Sequence, residues 1–504
     1  MPSLGRKSFV VLVSRVLASA LALVGLFFTA HYLGPDINGQ VSFALALVTT
    51  FNSISDFGFA AAHIKRISEG KDIDDCLSTY TTLKILLTVG MVVSTMAFIL
   101  VYKALDPSVI SDDTFDVIVL IVLYCVFYNI SQIFWVTYEA RMEAVKSQLV
   151  TLAEPASRTP LMIFVALGGY GAIDLAFTYV IGGIAMSIVG IILIGRENIH
   201  WKRPTLFKNY WVYALPISFI TVFGTVSWNL DKLVIGAFTT STDVAFFSQP
   251  QTLLGVLGFV GIAVTTLTFP AFSRMHAEGD FESIRTITHQ AERYISMIAL
   301  PITVVIVLFP TETVLTFFGP LYLPAAEPMR ILALGTYVAL LSSAYTPQIG
   351  GINRPDISAK LVGFTLFLNV ILLLIFVPTT FAGIQMLGLG VVGASIVNLI
   401  ISLIFLVIVR DIVYRLTRTK SNPRILLHLF AGLLSGVVLY LLTFIYPVNT
   451  WYDLFIYGLI ELPVFFGFMA LFRELTKFDV QYFMDIIHPG QMWDYISGEM
   501  KRKR

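Results

Sequence analysis

The chain has 504 residues, 57% of them hydrophobic and only 13% charged, with 33 Lys and Arg balanced by 32 Asp and Glu. Soluble domains carry about twice that charged fraction, and a net charge of +1 gives no sign of a nucleic-acid partner. Composition therefore excludes a soluble enzyme core and points to a chain dissolved in a membrane. Cys76 and Cys125 are the two cysteines, expected as free thiols.

In chain order the apolar stretches fall at residues 9–33, 41–63, 79–103, 115–138, 148–168, 171–194, 211–237, 244–270, 291–317, 327–352, 358–379, 384–409, 425–447 and 451–472. At about 1.5 Å of rise per residue, each can cross a hydrocarbon core about 30 Å thick. The first run follows Arg6-Lys7 like a signal peptide. It is too long for a signal core and lacks a small-residue cleavage site, so we read it as a retained helix.

The connections alternate in charge. One set carries Arg6 and Lys7; Lys65, Arg66 and Lys71; Arg141 and Lys146; Arg196, Lys202, Arg203 and Lys208; Arg274, Arg285 and Arg293; Arg354; and Arg410, Arg415, Arg418, Lys420 and Arg424. The other set is nearly free of cations. The positive-inside rule places the first set, and both termini, in the cytoplasm of a multi-pass protein of the cell membrane. The tail from Thr476 alternates apolar and polar residues and ends Lys501-Arg502-Lys503-Arg504, as expected of an amphipathic segment on an anionic leaflet. Residues 271–293 are expected to lie on that face in the same way.

A duplication is visible. Lys65-Arg66-Ile67-Ser68-Glu69-Gly70 after the second span and Arg274-Met275-His276-Ala277-Glu278-Gly279 after the eighth both place a cation four residues before Glu-Gly. The sixth and twelfth spans both follow glycine-rich turns, at Gly168-Gly169 and at Gly388-Leu389-Gly390. Six spans separate each pair, so the halves share orientation and are related by an axis along the membrane normal. The expected fold is all-α integral membrane, about fourteen transmembrane helices. Residues 1–210 and 211–423 would form two six-helix lobes, 424–473 two extra helices, and 474–504 a basic cytoplasmic tail.

Several motifs carry no chemistry. Gly388-Leu389-Gly390-Val391-Val392-Gly393 spells a dinucleotide fingerprint but opens a membrane helix outside any soluble βαβ unit, so a tight turn and close helix packing account for it. There is no Walker A loop, and the histidines lack metal-ligand spacing. Asp112-Asp113 sits in a loop too short to hold a catalytic domain. We expect no cofactor and no metal.

Charge inside the spans is the informative class, because a cation or carboxylate at mid-bilayer costs about 2.5–3.5 kcal/mol on insertion scales. Arg158 lies near the middle of the fifth span with Glu154 one turn earlier, beside Pro155 and Pro160. This is either a helix-stabilising ion pair or a cavity cation steered by its carboxylate. Arg15 is one further cavity candidate, able also to snorkel to the surface. Asp231 and Lys232, adjacent in the seventh span, point to different faces, so one is expected to face the substrate cavity and the other the interface. Asp56, Lys84 and Arg330 lie near span ends, where interfacial anchoring is the simpler role, and Asp56 is also a candidate coupling carboxylate.

These residues sit among motifs that resemble the polysaccharide transporter (oligosaccharide flippase) branch of the multidrug/oligosaccharidyl-lipid/polysaccharide exporter superfamily. The motifs are His31-Tyr32-Leu33-Gly34-Pro35-Asp36-Ile37-Asn38-Gly39-Gln40-Val41, Asp56-Phe57-Gly58, Leu215-Pro216, Asp231-Lys232-Leu233-Val234-Ile235-Gly236 and Phe269-Pro270-Ala271-Phe272-Ser273. The resemblance implies a twelve-helix core with two added helices. It implies a transporter, not an enzyme, that moves a polyprenyl-linked oligosaccharide to the outer leaflet by alternating access. Cavity cations such as Arg15 and Arg158 would hold the pyrophosphate. Membrane lipids, and a glycan polymerase or ligase, would be its partners. One departure is Ser241-Thr242-Asp243-Val244-Ala245, where relatives often have Gly after Val, which questions the tightness of that turn. A cation-coupled multidrug exporter and a membrane glycan polymerase or glycosyltransferase are the alternatives.

Overall fold

The computed structural model describes residues 2–105, 111–197, 200–352 and 354–475; the amphipathic tail expected from Thr476 lies outside them. The helices are α1 (Pro2–Asp56), α2 (Phe59–Ser68), α3 (Ile73–Leu105), α4 (Asp112–Ala140), α5 (Ala144–Gly168), α6 (Ala172–Ile194), α7 (Phe207–Phe238), α8 (Ser241–Leu254), α9 (Gly258–Glu278), α10 (Phe281–Leu308), α11 (Pro310–Phe318), α12 (Ala326–Ser342), α13 (Thr346–Gly351), α14 (Pro355–Phe376), α15 (Gly390–Thr417), α16 (Ile425–Leu442) and α17 (Trp451–Leu471). Between α14 and α15 lies a two-residue antiparallel pairing of β1 (Thr380–Phe381) with β2 (Ile384–Gln385). Among the described residues, eleven segments are long and apolar enough to cross a membrane when α1–α2 and α8–α9 each count once. The protein is an all-α membrane protein.

The helices divide into two compact units, one running to Ala245 and the other beginning at Phe246. Helix α7, placed by sequence at the start of the second lobe, packs within the first unit, against α1 and α2. In that unit the long helices turn large aliphatic side chains outward while burying a second set. On α3, Leu86 and Val93 are more than 60% exposed, whereas Met91 and Ile99 are fully buried. Apolar residues all round a helix are what a lipid-facing surface requires.

Two breaks shape the first unit. Gly34 adopts φ 77° within α1 and Pro35 follows it, so the helix kinks where proline supplies no N–H. Asn38 Nδ2 then donates to the Thr29 carbonyl at 2.9 Å and to the Gly34 carbonyl at 2.7 Å, satisfying acceptors at the kink. Gly39 sits against the chain after α7, where a Cβ would overlap the Ser241 carbonyl, and Ser241 Oγ donates to Asp36 Oδ1 at 3.1 Å. The second break is Phe57-Gly58, both at positive φ, between α1 and α2. The turn questioned for want of a glycine is intact. Asp243 Oδ2 accepts from the Thr240 amide and hydroxyl, and Ala245 is fully buried.

The duplicated motif has the same local form twice. Lys65 pairs with Glu69 at 3.9 Å and Arg274 with Glu278 at 3.2 Å, and Gly70 and Gly279 leave their helices at φ 79° and 74°. The expectation of a surface-lying segment over 271–293 is corrected. Residues up to Glu278 continue α9, and α10 starts at Phe281 with Asp280 accepting the Ser283 amide. A glycine C-cap followed by an Asp N-cap makes a sharp reversal instead of an interfacial helix. At Gly393 a Cβ would come within 2.6 Å of the Phe376 carbonyl, as the close-packing reading of the glycine motif requires.

Candidate functional site

The first unit holds a half-open cavity of about 470 Å³ lined by residues of α1, α4, α5 and α6. Its lining mixes one cation, Arg15, with two carboxylates, Glu139 and Glu154, and with Gln148, Tyr128 and Trp135. Arg15 is exposed on the part of α1 before the Gly34 kink, and its charge acts on the exposed Glu139 at the end of α4.

Arg158 does not line this space. Its Nε lies 3.1 Å from Glu154 Oε1, with both side chains about 15% exposed or less, and its guanidinium sits 4.4 Å over the Tyr179 ring of α6. Gly182 makes the room: a Cβ there would press within 3.2 Å of Glu154 Cγ and 3.3 Å of Arg158 Cβ. Glu154 therefore faces the cavity while Arg158 is stacked behind it between α5 and α6. Two cations and two carboxylates are gathered here, so the formal charges cancel unless a carboxylate takes up a proton or a ligand displaces one.

The remaining sequence candidates lie elsewhere in the unit. Asp231 is buried on α7; on the face of that helix toward α1, Asn229 Nδ2 donates to Thr49 Oγ1 at 3.2 Å and a Cβ on Gly236 would overlap the Phe43 ring. Lys232 turns away and sits 5.6 Å from the exposed Trp228 ring. Asp56 is half-buried at the end of α1 and accepts the Ala60 amide at 3.3 Å.

Other residues were misjudged or missed. Lys84, expected as an interfacial anchor, is 1% exposed and donates to the Ser55 carbonyl. Arg410 and Arg293, counted as loop cations, are inside helices of the second unit. Arg410 pairs with the fully buried Glu292, which also accepts from Tyr345 Oη at 2.6 Å. Arg293 pairs with Glu474 at 2.7 Å. A cation near the end of an apolar run is ambiguous by sequence; only a partner from elsewhere in the fold, a carboxylate or a backbone carbonyl, decides that it stays inside.

The profile of the polysaccharide biosynthesis protein family matches residues 4–276, more than half of the chain. The chain belongs to this family. Two curated relatives are similar to it. The "Probable low-salt glycan biosynthesis flippase Agl15" of Haloferax volcanii is 22% identical over 410 residues, covering 78% of this chain and 80% of that protein. The "Uncharacterized membrane protein MJ1068" of Methanocaldococcus jannaschii is 23% identical over 224 residues, and the chain spans only 42% of that protein's length. Among solved structures, the lipid II flippase MurJ in an inward closed conformation is similar with a TM-score of 0.75 at 15% identity, covering 92% of this chain and 98% of that one. An inward-facing multidrug-resistance transporter of the MOP superfamily follows this fold with a TM-score of 0.64 at 15% identity, over 80% and 96%. The family is the one the sequence motifs resemble, and the fold is that of these helical transporters.

Proposed function

We propose that the protein is a flippase that carries a polyprenyl-linked oligosaccharide from the cytoplasmic to the outer leaflet by alternating access, as a transporter and not a catalyst. The observation that carries this reading is the cavity itself. Arg15 offers a planar donor fork suited to a phosphate oxygen pair. Glu139, Glu154 and Gln148 offer the acceptors and donors that sugar hydroxyls require, beside the aromatic faces of Tyr128 and Trp135. The family match and the glycan-biosynthesis flippase among its relatives support the same substrate class.

Arriving pyrophosphate would engage Arg15 first and compete with Glu154 for Arg158. A prenyl tail needs no polar path. The charge alternation of the connections supports cytoplasmic termini in the cell membrane, with a glycan polymerase or ligase as the partner that consumes the product.

The carboxylates on the cavity favour a second reading, a cation-coupled drug exporter. The two separate experimentally. In proteoliposomes carrying a fluorescent polyprenyl diphosphate disaccharide, Arg15→Ala lowers transfer at least tenfold at matched protein levels, the scale of one lost charge-assisted contact at about 1.4 kcal/mol. Unchanged transfer in Arg15→Ala removes Arg15 from the site; no transfer by wild type, or transport of a cationic dye that Glu154→Gln abolishes, overturns the flippase reading.

A further inference from the structure

At the end of α1 the backbone leaves the helix for two residues, Phe57 at φ 40° and Gly58 at φ 79°, before α2 begins. A break at membrane depth strands carbonyl groups and is tolerated only where some other group satisfies them. Here that group is an ammonium. Lys84 Nζ of α3 lies 3.0 Å from the Ser55 carbonyl oxygen and 3.5 Å from the Ser55 hydroxyl. Further neutral oxygens surround Ser55. Its hydroxyl is 2.9 Å from Asn52 Oδ1 and 3.0 Å from Asn129 Oδ1, and Asn129 Nδ2 donates to Asn52 Oδ1 at 2.8 Å. Among the described residues, the hydrogen bonds of Nζ go to Ser55 alone.

The titratable groups around it come from every helix packed on α3. Asp56, at the end of α1, acts on the ammonium through space, as does the Cys125 thiol of α4. Tyr128 of α4 feels Asp56 in turn. His63 of α2 stacks at 4.3 Å on Tyr80, one turn before Lys84. A cap for a broken helix needs only a donor, which asparagine or serine supplies without placing a full charge in the bilayer. The lysine does more than cap.

We propose that Lys84 is a proton-binding site, a tethered cation seated in the helix break, whose loss and recovery of a proton loosens and closes that break during transport. The coupling to transport rests on the flippase reading; the binding of the proton does not. On deprotonation one N–H bond breaks, its electron pair stays on Nζ, and the proton passes to water by way of the half-buried Asp56 carboxylate. The neutral amine still donates to Ser55, without charge assistance and without attraction to Asp56.

Hydrogen exchange of the amides at residues 57–62, in the purified full-length protein, tests the binding half. Corrected for intrinsic base catalysis, wild-type protection falls about tenfold per pH unit above the site's midpoint, the slope for one proton. Lys84→Arg holds its charge and stays protected, whereas Lys84→Met shows low protection that does not vary with pH. Should Lys84→Arg fail to fold, Lys84→Met still decides. Wild-type protection flat with pH, or the wild-type step surviving in Lys84→Met, overturns the proposal. For the coupling half, an imposed pH gradient changes transfer of the polyprenyl diphosphate disaccharide by wild-type protein and not by Lys84→Met. Transfer by wild type that ignores the gradient overturns coupling. No transfer under any gradient removes the flippase reading, and the exchange data alone then judge the proton site.

Discussion

Replacing either member of the Glu154–Arg158 pair should cost far more than replacing both. Two unit charges 3.1 Å apart attract by about 5 kcal/mol at an effective dielectric of about 20, and this attraction offsets the cost of holding both out of water. Glu154→Gln strands a guanidinium whose remaining neighbour is the Tyr179 ring. Arg158→Met strands a carboxylate on the cavity wall. Each single change should lower stability by about 3 kcal/mol, the lower end for an unpaired buried charge. The double variant Glu154→Gln/Arg158→Met should cost about 1 kcal/mol, since the stem of methionine fills the space of arginine against Gly182. Reversible unfolding in mixed micelles, run as a double-mutant cycle, reads the coupling directly. A coupling energy near zero would show that the charges are each solvated separately, and the reasoning that puts Arg158 behind the cavity would fail.

Two other outcomes follow from the same geometry. Gly39→Ala should disrupt the packing of the α1 kink on the chain after α7, because its Cβ has no space against Ser241; Gly224→Ala, with open space around it on α7, serves as the control, and equal thermal stability of the two refutes this packing account. On the connection between α2 and α3, the hydrogen bond from Lys202 holds the Asp72 carboxyl below the usual carboxylate range. A carboxyl depressed in the folded state contributes stability above its unfolded value and loses it as pH falls through the folded value. Asp72→Asn should therefore lower stability slightly at neutral pH, flatten the acid limb and converge on wild type at low pH, as checked by unfolding from neutral to acid pH.

The membrane fold was legible because it depends on local arithmetic: run length, charge at the connections, and turn residues. The Lys65–Glu69 and Arg274–Glu278 turns are an example, since a cation four residues before Glu-Gly dictates both an ion pair and a left-handed glycine. Individual side chains were legible less often. The pairing of Arg158 with Glu154 was legible from their spacing, but whether Arg158 met the cavity or the space behind it depended on Gly182 of another helix. Lys84 read as an anchor because it lies near a span end. Its burial depends on where α1 breaks, which puts the Ser55 carbonyl within reach.

Thus the chain's own order of residues determined that it crosses a bilayer many times, where it kinks, and which family it belongs to, because hydrophobic length and backbone chemistry act within a few residues of each other. Only the tertiary structure decided which charges meet. Pairing of Glu292 with Arg410, or of Lys84 with Ser55, joins residues 118 and 29 positions apart, and in a low-dielectric interior a shift of a few ångströms separates a satisfied ion from an excluded one.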